Sequence, residues 1–516
     1  MMIMKTYKKI YNFFIGAVVA CAIWSCDDDF LEKNPLDSLS SETFWQTEDH
    51  VVTGLAGVYA TLTDNYLGYE RVYFECLSDN AANALPNFEQ RFLYEMTIGA
   101  LSAVSGGALN NMFLQPYKAV TACNYFLANA DNALEDPLLT ENDLEVYKAE
   151  VRFVRALAYF DVVQLWGDAP LYKGFPDNLD EMVVPKSSSA DIYQLIEDDL
   201  NFAIANLPDV PYSGHAVKGS AQGLLGRVLL TQEKWDEAAN VLKEVIDGGK
   251  FQLADSYKDI FLKGGQANPS VNTEILFSTK YSMNNVHRVD PVPAGIYLEL
   301  GQQYYLQPFA DLADVYQMSN GDDPSSTSLP SENYQNRDPR LDMTIKLPNE
   351  SWPNDVPIFS SSTGFVMEKY VDLDVMPLTS EDAFESDNDF VHLRYADILL
   401  MYAEAKNEAN GPDASVYEAI DEVRGRTGVN MPEVDRGAFA DQGSLREFIR
   451  NERRVELALE GLRYFDLKRW KIAQSELDGM PTTNGNIMVF KDHFYKLPFP
   501  QAELDSNPEL VQNDGY

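Results

Sequence analysis

Residues 216–249 read AVKGSAQGLLGRVLLTQEKWDEAANVLKEVIDGG, and this stretch decides the fold. Leu225, Gly226 and Leu229 recur at helical spacing on one segment. After a short break, Trp235 and Ala238 open a second segment, which Leu242 and Val245 continue. Apolar residues three and four apart share one face of a helix, so the pattern predicts two helices and a turn. Two such helices approach closely only where small residues meet large ones. Gly226 and Ala238 supply the small residues.

A small residue at the crossing, with large apolar residues around it, is the pattern of a tetratricopeptide-like hairpin. One hairpin cannot bury its own apolar face, so several must stack. Further helical patterns lie on both sides. Upstream they are SLSSETFWQTEDHVVTGLAGVYATL (38–62), NNMFLQPYKAVTACNYFLANA (110–130), LEVYKAEVRFVRALAYFDVVQLWG (144–167) and SADIYQLIEDDLNFAIANLP (189–208). Downstream they are VHLRYADILLMYAEAKNEAN (391–410), SVYEAIDEVRGRTG (415–428) and SLREFIRNERRVELALEGLRYFDLKRWKIA (444–473). Between the two sets the texture changes. GGQANPSVNTE and NGDDPSSTSLPSENYQNRDPR are rich in turn formers, and TEILFSTKY and MTIKLP read as short strands. The expected fold is mostly α, a tetratricopeptide-like helical-hairpin superhelix with a loop-rich mixed α/β insertion.

The N-terminus carries a different signal. Lys5, Lys8 and Lys9 precede an apolar run from Ile10 to Trp24 that only Asn12 interrupts. A charged segment followed by about 15 apolar residues is the layout of a secretory leader, too short to span a bilayer. The run ends at Ser25 and Cys26, followed by Asp27, Asp28 and Asp29. A small residue before a cysteine resembles a bacterial lipobox, in which Cys26 becomes the lipid-carrying N-terminus; Ile23 and Trp24 fit a loose version. More than one acyl chain is needed for stable anchoring. Residues 1–25 are therefore expected to be a lipoprotein signal peptide and 26–46 a lipidated tether and start of the body. Residues 47–250 form an N-terminal helical region, 251–390 a loop-rich insertion, and 391–516 a C-terminal helical region with a packed tail.

Eighty acidic residues face forty basic ones, a formal net charge of −40, and loss of the leader removes three lysines and no acid. Such a surface repels nucleic acid and anionic lipid headgroups. Cys76 and Cys123 are the only cysteines of the body, too few for a disulfide framework or a zinc pattern, and are expected to be buried thiols.

From end to end the chain resembles the SusD/RagB family of outer-membrane nutrient-binding lipoproteins. The resemblance rests on CDDDFLEKNP followed by SETFW, on SDNA at Ser78–Ala81, and on RALAYFDVVQLWGDAPL. It rests equally on LRYADILLMYAEAKNEA, VRGRTG, RNERRVELALEGLRYFDLKRW and LPFPQAELDSNPELVQNDGY. It implies a helical platform that sits as a lid on a SusC-type TonB-dependent porin, captures glycans (in some members peptides), and passes them to the barrel. It also implies a lipid-anchored location on the outer membrane, facing outward, and no enzymatic activity.

The residues agree. No G-x-S-x-G, H-E-x-x-H, P-loop or G-x-G-x-x-G occurs, and the five histidines are scattered singly. No cofactor or metal is expected. A paired-carboxylate glycosidase is defined by spacing in space, not along the chain, so a surface hydrolase stays an alternative. Arg450, Arg453 and Arg454 alternate with Glu452, Glu456 and Glu460. At three- and four-residue spacing they are expected to pair with one another as a structural network.

Sugars are gripped by aromatic faces and by polar groups at their rims. Trp45, Trp166, Trp235 and Trp470 fall in helical motifs, which leaves Trp352, after PNES in the insertion, as the first candidate platform. Tyr297, Tyr304 and Tyr305 in AGIYLELGQQYYLQPF are second choices. The resemblance adds the loop after Ser78–Asp79, where Asp79, Asn83, Arg91 and Tyr94 offer polar and stacking contacts. No tryptophan lies between Asp64 and Gln115, where starch-binding members of the family have one, which suggests a ligand other than starch.

Overall fold

The computed structural model describes residues 44–83, 91–105, 107–282, 306–324, 334–348, 350–352, 356–357, 361–372 and 387–516. The leader, Cys26, Tyr297, Tyr304 and Tyr305 lie outside the described residues. The main helices are α1 (Glu48–Ala60), α2 (Arg91–Thr97), α3 (Gly107–Asn129), α4 (Glu141–Trp166), α5 (Ser189–Asn206), α6 (Lys218–Thr231) and α7 (Trp235–Gly248). They continue with α8 (Tyr395–Asn410), α9 (Ala414–Arg424), α10 (Gln442–Glu456), α11 (Arg463–Arg469) and α12 (Gln501–Ser506).

Local chemistry sets the helix ends. Thr47, Thr140, Ser188 and Asp413 each accept a hydrogen bond from an orphan amide of the first turn. Gly167 ends α4 and Gly249 ends α7, both at positive φ. The helices then stack in sequence. α3 packs on α4, α4 on α5, α5 on α6, α6 on α7, and α8 on α7, α9 and α10. The superhelix therefore runs on across the whole intervening segment, because α8 lies directly against α7. At the α6–α7 crossing, a Cβ added to Gly226 would come within 2.4 Å of Leu242. The glycine is what lets the two backbones meet.

Two expectations are corrected. Residues 391–394, read as the start of a helix, belong to a strand, Phe390–Arg394. It pairs antiparallel with Ile275–Thr279 and is buried along its whole length. Burial on both faces overrides helical periodicity. The stretch 444–473, read as one helix, is α10, α11 and a short turn of helix, Ala473–Leu477. The chain breaks at Leu459 and Gly461, both at positive φ, and a Cβ on Gly461 would strike the Arg71 carbonyl at 2.4 Å.

The acidic and basic residues of α10 do form a network, but not with one another. Glu456 meets Arg340 at 2.8 Å, Arg394 at 2.7 Å and Arg426 at 2.8 Å. Glu460 meets Arg394 and Lys369, and Glu452 meets Arg340 and Arg424. Glu274 bonds Arg394 and Arg426. Arg453 reaches Asp397 and Asp466, and Arg454 reaches Asp79. The local spacing rule applies only to Arg450, which pairs with Glu447. All the other groups in the network are buried except Arg454, which is partly buried. A buried charge without a partner is far costlier than a paired one, so long-range partners win over exposed neighbours. Arg340, Lys369 and Glu274 come from the segment between α7 and α8. The network thus ties the base of that segment to the C-terminal helices.

Cys76 and Cys123 are buried, unpaired thiols, with burial raising the pKa of each. Trp45 and Trp166 are buried, and Trp235 is partly buried against the core.

Candidate ligand-binding surface

The loop after Ser78–Asp79 and the intervening segment, far apart in sequence, meet in an antiparallel ribbon. Strand β1 (Ala81–Asn83) pairs with Leu306–Pro308 in the register Ala81↔Pro308, Ala82↔Gln307, Asn83↔Leu306. The corner that delivers β1 is built from its own side chains. The Ser78 hydroxyl donates to the Glu75 carbonyl at 2.7 Å and accepts from the Asn80 amide. Asn80 donates to the Glu75 carboxylate at 2.7 Å and accepts from Arg454. Glu75 also accepts the amides of Gly461 and Leu462.

Asp79 sits at the centre of this corner. Arg463 donates to both of its carboxylate oxygens at 2.8 Å, and Arg454 lies 3.1 Å away. Burial pushes the carboxyl pKa up, but the two guanidiniums outweigh it and hold the group below its ordinary value. Asp79 is only 4% exposed, so it positions the ribbon and has no oxygen left over for a ligand. Asn83 is likewise buried on the ribbon, where its carbonyl accepts from the Thr483 hydroxyl.

The partner strand is pinned in turn. The Gln307 side-chain oxygen, fully buried, accepts the Ser362 amide at 2.6 Å and the Ser361 hydroxyl at 3.3 Å. Those serines lead into Val366–Met367, which pairs with Ile345–Lys346. Beyond that pairing the same two chains pair again, Ser351↔Pro357 and Trp352↔Val356. Trp352 therefore stands near the tip of a two-stranded arm whose base adjoins the ribbon; its side chain lies outside the described residues. Tyr304 and Tyr305 immediately precede Leu306 in the chain. Arg91 opens α2, its side chain also undescribed, and Tyr94 on the same helix accepts from Asn486 at 2.8 Å.

The ribbon thus joins the two segments that sequence reasoning singled out independently. Sequence reasoning missed the residues that hold it: Gln307, Arg463, Thr483 and Asn486. Each acts on a partner tens to hundreds of positions away, so no local signal marks it. Among the described residues no group of three or more His, Cys, Asp or Glu is arranged to hold a metal ion.

Two family models match the chain. One, the SusD family, covers residues 302–516; the other, described as starch-binding and associating with the outer membrane, covers residues 29–230. The chain belongs to the SusD-like family. A SusD-like protein of Formosa agariphila is 27% identical over 98% of each chain. The crystal structure of a SusD-like carbohydrate-binding protein from Bacteroides fragilis is 27% identical, with a TM-score of 0.79 over 91% of this chain and 100% of that one. A laminarin-binding SusD-like protein is 25% identical, with a TM-score of 0.66 over 91% of this chain and 100% of that one. As in those relatives, the SusD-like body here is a helical stack. No helix among the described residues is long and apolar enough to cross a membrane.

Proposed function

We propose that this chain is a cell-surface lipoprotein that captures glycan and delivers it to a SusC-like TonB-dependent transporter in the outer membrane. It binds rather than cleaves. The observation that carries this reading is the β1 ribbon, which joins the strand after Asp79 to the segment that leads through Gln307 to the base of the Trp352 arm. Carbohydrate binding by SusD-like relatives, one of them a laminarin binder, supports the ligand class. The family description of outer-membrane association supports the location. Anchoring falls to Cys26, with the acidic run after it marking the exit from the bilayer.

The contact set comprises Trp352, Tyr297, Tyr304 and Tyr305, with Arg91 and Tyr94 at the edge. Asp79 and Asn83 act from beneath. The test is native electrophoresis of residues 27–516 in gels cast with laminarin, starch and other polysaccharides. Retardation by at least one is expected, with the polysaccharide recovered uncut and retardation lost in Trp352→Ala. Silence in every gel together with a thermal shift from peptides would replace glycan by peptide as the cargo. Cys26→Ala should move the protein out of the membrane fraction.

A further inference from the structure

A separate concavity of about 620 Å³ opens between α3, the loop that follows α4, and α12. Its wall is mostly apolar. Leu114, Phe175, Leu179, Met182 and Val183 line it, and all five are among the twelve large apolar side chains exposed in the described residues. Leu179 is 80% exposed. Apolar side chains scattered singly need no explanation, but a cluster around one cleft marks an interaction surface.

The polar groups of the wall are already committed. The Tyr117 hydroxyl donates to the Pro170 carbonyl at 2.7 Å, and the Tyr172 hydroxyl to the Met182 carbonyl at 2.8 Å. Asn124 donates to the carbonyls of Tyr172 and Gly174, and Asn507 to that of Val184. Lys118 is neutralised by Asp64 at 2.7 Å. These bonds stitch the loop to α3 and α12, so the cleft is preformed. They also leave few groups for sugar hydroxyls.

One group stands apart. Glu503 on α12 lines the cleft half-buried, and among the described residues its carboxylate has neither a hydrogen-bond partner nor a counter-ion. Burial raises its pKa, and its charge in turn raises those of Tyr117 and Tyr172. Asp177, Asp180 and Glu181 on the loop are exposed and keep the rim acidic. A partly desolvated carboxylate is best stabilised by a cation brought to it. The acidic rim repels anionic lipid, and an acyl chain would leave Glu503 uncompensated.

We propose that this cleft docks an extended segment of a partner protein, one rich in apolar residues and carrying a lysine or arginine whose cation meets Glu503. The inference does not rest on glycan capture, and polysaccharide retardation serves as its control. A photo-crosslinking benzoylphenylalanine placed at Leu179 in the full-length chain, in its native cells, reads the occupant directly. The crosslinked peptide is sequenced, synthesised, and titrated against purified protein by fluorescence anisotropy.

The expected result is one segment with apolar residues around a Lys or Arg. Its affinity should fall about fivefold with Glu503→Gln, the size of one half-exposed ion pair. Replacing its basic residue with norleucine should cause the same fall, and adding Glu503→Gln should cause no further loss. Met182→Asp should weaken binding more than tenfold. Thermal unfolding and polysaccharide retardation of Glu503→Gln should match the parent. The proposal is overturned by no crosslink, by a lipid or a second copy of this chain at the crosslink, by a segment without a basic residue, or by an affinity that ignores Glu503→Gln.

Discussion

The α6–α7 hairpin and the α8–α10 block lie side by side, yet opposite means hold them. The hairpin closes by apolar contact, with Gly226 admitting Leu242. The C-terminal block closes on charge, with Arg340, Arg394 and Arg426 converging on Glu456 away from water. Apolar contact tolerates many partners of similar size. A buried ion pair tolerates one. The block therefore fixes where the intervening segment attaches, while the hairpin supplies a stackable layer.

The largest effect is expected from the charged side. Glu456→Gln leaves three buried guanidiniums short of a counter-charge, and urea unfolding should show a loss of about 3–5 kcal/mol. A loss below about 1 kcal/mol would break the contrast. On the apolar side, Gly226→Ala forces a methyl group against Leu242 and should cost about 1–3 kcal/mol. Adding Leu242→Ala should make the double variant more stable than the sum of the singles predicts, because the overlap is gone.

Lys468 sharpens the comparison, being a buried charge with no carboxylate beside it among the described residues. It donates to the Gln164 carbonyl at 2.7 Å, and burial pulls its pKa down to about 7. The unfolded chain therefore holds a proton that the fold gives up between pH 7 and the ordinary lysine value near 10.5. The penalty is full below pH 7 and fades as the pH rises. Lys468→Met should raise the melting temperature at pH 6, by the equivalent of about 1–2 kcal/mol, and the gain should vanish by pH 10. The smallest effect belongs to Arg450, which pairs with Glu447 at the surface and lies over Trp470. Arg450→Ala should change stability by less than about 1 kcal/mol in thermal melts, and the salt-dependent part should disappear in high salt.

What the sequence disclosed follows the same division. The helices of the stack were legible because a buried helix face writes its period into neighbouring residues, as in 216–249. The strand at Phe390–Arg394 was not, because its partner lies more than a hundred residues earlier and its apolar run also fits a helix. The charges of α10 were recognised as structural, but their partners were sought on the same helix when all but that of Arg450 lie on other elements. At the candidate surface, Ser78–Asp79 marks the corner that delivers β1. Its structural part is legible only with Arg463 and Arg454 in place, which bond Asp79 and hold the corner. The cleft beside α12 left no periodic trace at all: Leu179, Met182 and Val183 sit in a loop among acids.

The end of α4, the longest of the described helices, carries a consequence for how the chain folds. The Leu165 carbonyl accepts the Leu497 amide, and the Trp166 carbonyl accepts from Asn513. The Trp166 indole in turn donates to the Pro498 carbonyl. The helix that begins at Glu141 is thus finished by residues more than three hundred positions further along the chain. Contacts so distant along the chain form slowly. Removing residues 497–516 would keep α1 to α11 in the chain and take away every one of these closing contacts. Closure of this helix end is therefore a long-range step of folding, set by the meeting of α4 with residues 497–513.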